Sequence, residues 1–258
     1  MSNIKIIVAA HKLYRMPKSS MYLPLHVGKN GGDSIGFQGD DTGDNISWKN
    51  PNYCELTGLY WAWKNLDADY LGLAHYRRHF SGKGFLYRMI AGKWNSILTR
   101  KDAERLLEKT DILLPSPRGY VIESIYEHYC HTHYPEPLNE TRIILVERYP
   151  EMVPVFDEVM TKRKAHMFNM FIMKRELSDA YCEFLFEVLG ELENRIDISH
   201  YNPFQARVYG RISELLLDVW INYWGYSYKE ISMVHMESQH WFRKGMKFLR
   251  SKFKRQYY

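Results

Sequence analysis

The sequence predicts an α/β fold on the basis of three observations. Residues 4–10 (IKIIVAA) and 70–74 (YLGLA) are short apolar runs, and each is followed at once by polar and cationic residues, as at the carboxyl end of a buried strand. Segments with helical periodicity alternate with the apolar runs. No internal repeat, low-complexity tract or obvious linker interrupts the 258 residues, so we expect one domain with helical additions.

The first predicted strand is followed by a polar segment that begins at His11 and contains Tyr14. Ligands of open α/β sheets bind beyond the carboxyl ends of the strands, so this segment is a candidate site. A solvated loop is the alternative. Residues 30–50 are rich in Gly and Asp and have no helical or strand period, which predicts a long functional or mobile loop.

The remaining elements follow from hydrophobic periodicity and from the positions of proline. Asn50 and Pro51 favour a helix start, as N-cap and first-turn residue. The apolar side chains of this helix that share one face are Tyr53, Leu56, Tyr60 and Trp63. Further helices are predicted at 101–109, at 138–161 with an interruption near Pro150 and Pro154, at 176–194 and at 204–220. Strands are predicted at 111–114 and 166–174.

The composition is that of an ordinary globular protein, with 45% hydrophobic and 25% charged residues. It includes 20 Tyr, 12 Phe and 7 Trp, which would suit stacking on sugars or nucleobases and would equally suit a plain core. The three cysteines are an odd, widely spaced set, and the N-terminus lacks a secretory signal, so we expect a cytoplasmic protein. No run approaches the roughly 20 apolar residues of a membrane-spanning helix, so any membrane attachment would be peripheral.

The net charge of +5 has its origin at the C-terminus. Seven of the 35 Lys and Arg residues lie in residues 241–258, which contain no acid, whereas the rest of the chain carries all 30 Asp and Glu and is nearly neutral. A near-neutral body is poor support for a DNA-binding domain. We therefore expect no nucleic-acid partner.

Residues 241–258 have the pattern of a helix that lies in a membrane interface, because apolar residues recur every three or four positions and cations fill the other faces. The residues predicted to contact an anionic membrane surface are Phe242, Arg243, Lys244, Met246, Lys247, Leu249, Arg250 and Phe253. A nucleic-acid arm and a helix packed on the body are the alternatives. The chain is thus divided into a domain of residues 1–240 and a membrane-association tail of residues 241–258.

Cationic and titratable side chains follow the second core strand abruptly, at His75, Arg77 and Arg78. A guanidinium group presents a planar fork of donors that matches phosphate oxygens. At the edge of a sheet, such groups could neutralise a pyrophosphate and stabilise the charge that develops as a nucleoside diphosphate leaves. Arginines paired with the protein's own acids are the structural alternative.

Two other polar clusters could bind a metal ion, and each has a simpler explanation. Asp40, Asp41 and Asp44 could hold Mg²⁺ or Mn²⁺, but they do not match a calcium-loop motif and a solvated acidic loop is the alternative. Residues 128–133 (HYCHTH) fit no standard zinc spacing, so a partly exposed His-rich turn is expected there.

On the predicted helix at 204–220, four charged residues share one face: Arg207, Arg211, Glu214 and Asp218. They could form a solvated ladder of salt bridges. Glu214, flanked by arginines, could instead act as a general base or orient a sugar hydroxyl.

Six stretches of the sequence together carry a family resemblance. They are IIVAAHK at 6–12, GDNISWKNPNYCELTGLYWAWKN at 43–65, YLGLAHYRRHF at 70–80, DILLPSPR at 111–118, FNMFIMKRE at 168–176 and QARVYGRISELLLDVW at 205–220. In this order they resemble a bacterial family catalogued as a domain of unknown function, DUF4422. That family has been linked to capsular and exopolysaccharide glycosyltransferases, some of which transfer galactofuranose.

The resemblance implies a GT-A-like (Rossmann-like) sheet that binds a nucleotide sugar and is flanked by helices, with helical additions and a C-terminal amphipathic helix. It implies a glycosyltransferase with a UDP-linked donor, galactofuranose being the leading choice. The implied acceptor is a lipid-linked saccharide of capsule, exopolysaccharide or O-antigen synthesis, at the inner face of the plasma membrane. Many enzymes of this fold hold the diphosphate through an Asp-x-Asp motif and a metal ion. Here the comparable strand end has arginines and no acid, so no cofactor is expected to be required, although Mg²⁺ or Mn²⁺ stays possible.

Position and resemblance together assign roles to individual residues. Glu214 is the first choice for the base of an inverting displacement, and Asp44 is the second. The residues assigned to the donor are His11, Tyr14, Asn45, His75, Arg77 and Arg78. The residues assigned to the sugar and the acceptor are His166, Asn169, Gln205, Arg207 and Arg211. No residue is assigned to a metal.

Two other classes of protein stay open. A non-catalytic, membrane-peripheral carbohydrate-binding protein would bind glycans without nucleotide-dependent turnover. A basic-tailed nucleic-acid-binding protein would bind oligonucleotides with a steep salt dependence. Neither class explains Arg77 and Arg78 at the end of a buried strand.

Overall fold

The computed structural model describes residues 2–120 and 122–237. In these residues the strands are β1 (Ile4–Ala10), β2 (Tyr22–His26), β3 (Gln38–Gly39), β4 (Tyr70–His75), β5 (Arg78–Ser81), β6 (Ile112–Pro115), β7 (Arg118–Gly119), β8 (Lys164–Ala165), β9 (Phe171–Lys174) and β10 (Lys229–His235). The helices are α1 (Asn50–Tyr53), α2 (Leu56–Asn65), α3 (Phe85–Ala91), α4 (Arg100–Leu107), α5 (Ile125–Thr132), α6 (Glu136–Arg148), α7 (Val153–Thr161), α8 (Arg175–Arg195) and α9 (Val208–Trp224).

A mixed central sheet flanked by helices confirms the predicted α/β class. β1 lies between β2 and β4 and is parallel to both, with Ala9 opposite His75 in the last pair with β4. β9 pairs antiparallel with both β4 and β6, and β10 joins β6 to β5. The carboxyl ends of β1 and β4 therefore meet at one edge of the sheet, where the polar residues that follow each strand come together.

β1 is buried on both faces, which explains its continuous apolar sequence. Ile7 and Ala9 belong to one core, which side chains of α2, α6, α7, α8 and α9 complete. Ile6 and Val8 belong to a second core on the other side of the sheet, where α4 packs. Burial of one large aliphatic side chain stabilises a fold by about 2 kcal/mol. Because β1 places side chains in both cores, its burial stabilises both.

The helix predicted from Asn50 is broken at Cys54, whose backbone φ of 55° cannot continue a helix. Asn50 is the first helical residue and does not act as the N-cap. Its side-chain amide donates to the Cys54 carbonyl at 2.7 Å and to the Thr57 hydroxyl at 3.1 Å, which stabilises the turn between α1 and α2. Because of this turn, Glu55 faces the carboxyl edge of the sheet.

The strand predicted at 166–174 begins only at Phe171. Phe168 and Asn169 have backbone φ angles of 78° and 53°, in the left-handed region, which interrupts a strand. The apolar composition of this stretch predicted the strand, but a backbone reversal of this kind leaves no hydrophobic signature. Residues 166–170 therefore form an irregular segment at the edge of the sheet.

Of two other predicted helices, one is confirmed and one begins later than predicted. The helix predicted at 138–161 is confirmed as α6 and α7, with the expected interruption near Pro150. The helix predicted at 204–220 begins later, at Val208, so Phe204 and Gln205 lie in a turn that precedes α9. The His-rich turn predicted at 128–133 is wrong, because most of these residues form the last turns of α5.

Candidate active site

An open cavity of about 610 Å³ lies at the carboxyl edge of the sheet. Its walls come from the ends of β1 and β4, the turn between α1 and α2, helix α5, the 166–170 segment and the first turns of α9. Two carboxylates, Glu55 and Glu214, share this cavity with arginines at positions 77, 78, 118, 207 and 211. Elements that are distant in the sequence thus bring acids and guanidinium groups together.

The 166–170 segment holds His75, the last residue of β4. The ring Nε2 of His75 lies 2.6 Å from the carbonyl oxygen of Phe168. A carbonyl can only accept, so Nε2 carries the proton in this contact. Burial lowers the pKa of His75, although the nearby carboxylate of Glu55 opposes the shift. His75 is therefore a neutral ring at pH 7, held in one orientation by the backbone.

Glu214 projects from α9 into the cavity, and its pKa is higher than the ordinary value of a glutamate side chain. Burial, together with the charge of Glu55, raises the pKa of Glu214 to about 7. A hydrogen bond from the backbone N–H of Phe168 and the charges of Arg78 and Arg118 act in the opposite direction and are outweighed. A carboxylate with this pKa can release or accept a proton at neutral pH, as a general acid or base must.

Glu55 is held in place by a buried amide. Asn169 donates from Nδ2 to Glu55 Oε1 at 2.8 Å and to the carbonyl of Gly210 at 3.0 Å, and it accepts from the hydroxyl of Ser213 at 2.9 Å. A Cβ added to Gly210 would lie 3.1 Å from Cys54, so α9 approaches the turn before α2 closely here. Both amide hydrogens of Asn169 are thus used within the protein, and Asn169 lies beneath the cavity, where it positions Glu55.

Arg78 is the arginine best placed for an anion inside the cavity. Its guanidinium carbon lies 4.1 Å from the centre of the Phe168 ring. Its buried Nε has no hydrogen-bond partner among the residues that the structure describes. Burial lowers the pKa of Arg78, partly against the attraction of Glu214. An anion that accepted from this guanidinium group would satisfy the free donor and offset the cost of burying its charge.

Arg77 lies at the mouth of the cavity and is more exposed. Its Nη1 is 3.5 Å from Glu237 Oε2, and its guanidinium group lies over the ring of Tyr76. His11 also contacts Tyr76, edge to face, with ring centres 5.2 Å apart. Tyr14 packs on the same ring at 5.1 Å but does not line the cavity. Tyr76 therefore links the polar segments that follow β1 and β4.

The start of α9 and the turn before it form the opposite wall. Arg207 donates from Nε to the sulfur of Cys54 at 3.0 Å. Arg211 donates to backbone carbonyls of the turn that precedes α9. Gln205 lies behind the wall, where its Oε1 accepts from the ring Nδ1 of His133 at 3.0 Å, while His133 itself lines the cavity.

The cavity brings together these residues predicted from the sequence: His11, His75, Arg77, Arg78, Arg207, Arg211 and Glu214. The structure does not bring Asp44 and Asn45 to it. Asp44 Oδ1 accepts from the hydroxyl of Tyr60 at 3.2 Å, and its backbone N–H donates to Asn65, so it shapes the loop against α2. Asn45 is likewise used within the loop.

His166 lies behind the cavity and is paired with Asp218. Its ring Nδ1 is 2.6 Å from Asp218 Oδ1, and its backbone N–H donates to Asp218 Oδ2. Burial disfavours the charged ring, but Asp218 and Glu230 outweigh it and raise the pKa of His166. Asp218 is thus buried against His166 and is not part of a solvated ladder with Glu214.

The acids predicted as a possible metal site are occupied by protein donors. Asp40 is fully buried and accepts four hydrogen bonds, from the backbone N–H groups of Gly28 and Lys29 and from the hydroxyls of Ser47 and Thr57. Asp41 pairs with the amine of Lys29 at 2.8 Å. These contacts fold the loop and leave Asp40 no free lone pair for Mg²⁺ or Mn²⁺.

Two histidines of α5, His128 and His131, contact the carboxylate of Glu123. Both carboxylate oxygens of Glu123 lie 3.0 Å from ring nitrogens, one of His128 and one of His131. Across residues 2–120 and 122–237, no group of three or more His, Cys, Asp or Glu side chains is arranged to hold a metal ion.

Sequence patterns do not identify several residues of the cavity, among them Glu55, Arg118 and His133. Glu55 lies in a stretch whose period predicts a continuous helix, and only the left-handed turn at Cys54 directs it to the cavity. A sequence signal exists for Arg118, because it comes shortly after the apolar run of β6, as His75 comes after the apolar run of β4. For His133 the sequence pattern indicates only a possible metal ligand.

The predicted membrane residues of 241–258 lie outside the described residues and stay a prediction. Within the described part of the chain, no helix is both long enough and apolar enough to cross a bilayer.

The fold and the cavity define an α/β protein with acids and arginines gathered at the carboxyl edge of its sheet. Residues 5–225 match the family described as "Domain of unknown function (DUF4422)", and the chain belongs to that family, as its sequence predicted. The chain is also similar to the apo structure of the bifunctional glycosyltransferase WbbM, with a TM-score of 0.83 and 32% identity. The match covers 92% of this chain and 46% of the WbbM chain, so this chain spans about half of that protein's length. No curated protein matches the sequence.

Proposed function

We propose that this chain is a glycosyltransferase that moves a sugar from a nucleotide-sugar donor to a saccharide acceptor. The observation that carries the proposal is Glu214, whose pKa is raised to about 7 in a cavity that also contains Arg78 and Arg118. A near-neutral carboxylate beside guanidinium groups suits a reaction in which a hydroxyl loses a proton while a phosphate leaves. The similarity to WbbM supports this class of reaction.

In this proposal arginines neutralise the diphosphate. Arg78 has a buried donor to offer, and Arg118 shares the cavity with it, while Arg77 lies at the mouth. Guanidinium groups aimed at phosphate oxygens stabilise the negative charge that grows as the sugar departs. The proposal needs no metal ion at Asp40 or Asp41, whose oxygens fold the loop.

Glu214 is the proposed base. The acceptor hydroxyl oxygen forms a bond to the anomeric carbon of the donor while the bond from that carbon to the diphosphate oxygen breaks. The nucleoside diphosphate leaves with the electron pair, and the hydroxyl proton passes to the ionised carboxylate of Glu214. Attack on the face opposite the leaving group inverts the anomeric centre.

The other cavity residues have supporting roles in the proposal. Glu55, held by Asn169, is fixed well enough to accept hydrogen bonds from sugar hydroxyls. His11 lies with Tyr76 at the end of β1, where a nucleobase or ribose would bind beyond the sheet. Arg211, at the start of α9, is assigned to the acceptor, together with Arg207.

The finer assignments rest on the family resemblance. They are a GT-A-like fold, a UDP-linked donor with UDP-galactofuranose as the first to be tested, and a lipid-linked acceptor in capsule, exopolysaccharide or O-antigen assembly. The proposed location is the cytoplasmic face of the plasma membrane, with residues 241–258 in contact with anionic lipid.

The test is nucleotide-dependent turnover. The full chain is incubated with a panel of UDP-sugars and saccharide acceptors, and released UDP and elongated glycan are measured by mass spectrometry. We expect one donor to be consumed and to raise the melting temperature, because a ligand of the native state stabilises it. Glycan binding without UDP release from any donor would identify a non-catalytic carbohydrate-binding protein instead.

A further inference from the structure

Helix α3 is an apolar helix on the protein surface. None of its residues is buried. Leu86, Met89 and Ile90 are 74%, 68% and 89% exposed, and Phe85 and Tyr87 are also largely exposed. Single exposed apolar residues are common, but five large ones on one short helix form a patch of the kind that marks an interaction surface.

The chain around α3 is cationic. No Asp or Glu occurs in residues 70–101, whereas seven Lys and Arg do. Lys93, just after α3, is exposed and donates to the carbonyl of Met236 at 3.2 Å. Arg15 lies over the ring of Trp94, with its guanidinium carbon 4.2 Å from the ring centre. Apolar side chains rimmed by cations complement an anionic bilayer, where the former enter the acyl boundary and the latter stay among headgroups.

The described chain also ends beside α3. Arg88 donates to the carbonyl of Met233 at 2.9 Å, so α3 lies against β10. Lys93 reaches the carbonyls of both Met236 and Glu237, the last described residues. The basic sequence of residues 241–258 therefore follows from a point next to this patch. This continuity of charge favours a lipid surface over a neutral protein partner.

We propose that α3 docks into the headgroup region of an anionic bilayer and forms a membrane contact separate from residues 241–258. Lys93, just after α3, and Arg77, which lines the cavity, both contact Glu237, so a bilayer against this end of α3 would lie near the mouth of the cavity. Such a bilayer would bring a lipid-linked acceptor close to the cavity, and only this benefit rests on the proposed function. The docking itself does not.

The experiment measures binding of the full chain to vesicles of phosphatidylglycerol and phosphatidylethanolamine by co-sedimentation. The α3 variant carries Leu86→Ser, Met89→Ser and Ile90→Ser. The control variant carries Ile143→Ser and Val146→Ser on α6, which are 45% and 47% exposed. We expect vesicle affinity to fall about tenfold for the α3 variant and to stay at the parent value for the control.

Transfer to a water-soluble acceptor and the melting temperature are measured on the same variants, and both are expected to equal those of the parent. Failure of transfer in the parent would count against the proposed function alone. Unchanged vesicle affinity of the α3 variant would overturn the docking proposal. So would a parent that is dimeric without lipid and that the α3 variant makes monomeric, because the patch would then bind a second copy of the chain.

Discussion

The cavity and the Asp-rich loop both contain carboxylates, and the two regions use them in opposite ways. Asp40 in the loop accepts four hydrogen bonds from its own chain, and its neighbour Asp41 has a lowered pKa because of its hydrogen bond to Lys29. In the cavity, burial and Glu55 raise the pKa of Glu214 to about 7. The contacts of an acid, and not its density in the sequence, therefore decide whether it folds the chain or exchanges protons.

We expect Glu214→Gln to lose most of the transfer activity. The amide keeps the shape of the side chain but cannot take a proton, so turnover should fall about 10²- to 10⁴-fold. The melting temperature should stay the same or rise, because a carboxylate that is disfavoured in the folded state has been removed. Initial rates of UDP release and thermal unfolding check both parts.

The control for this variant is Asp44→Asn, which alters the loop acid that was the second choice for the base. Because Asp44 lies outside the cavity, the transfer rate of the Asp44→Asn variant should stay within about twofold of the parent rate. A loss as large as that of Glu214→Gln would identify the loop acid Asp44 as the base.

Substitutions in the Asp-rich loop should change the stability of the protein instead of its transfer rate. Asp40→Ala leaves buried donors without an acceptor and should destabilise the protein by about 3 kcal/mol. For a chain of this size the melting temperature should then fall by roughly 6–12 °C. Asp33→Ala, an exposed acid of the same loop, should change it little. If Asp40→Ala kept the parent stability, the hydrogen bonds to Asp40 would not be what folds the loop.

A smaller effect distinguishes two arginines of the cavity. Arg78→Ala removes a half-buried guanidinium group with a free donor and should weaken binding of UDP about 10- to 100-fold. Arg77→Ala removes an exposed group already paired with Glu237, so its effect should stay below about threefold. Isothermal titration calorimetry with UDP measures both, and equal losses would show that exposure does not separate their roles.

Much of the fold could be predicted from the sequence, because buried strands and amphipathic helices leave periodic patterns. The ends of β1 and β4 identified His11, His75 and Arg78 for the same reason. The supporting contacts could not be predicted. Left-handed turns at Cys54 and Asn169 depend on tertiary packing against α9 and leave no period, so the positions of Glu55 and of the 166–170 segment appear only in three dimensions.

The role of Glu214 as the base can be measured in the pH dependence of kcat/KM for transfer. Since the base must be ionised, and the pKa of Glu214 is about 7, we predict that kcat/KM rises about tenfold per pH unit below that value and levels off above it. The residual activity of Glu214→Gln should lack this rise. A flat profile between about pH 5.5 and 8.5, or the same rise in the variant, would contradict the assignment of Glu214 as the base.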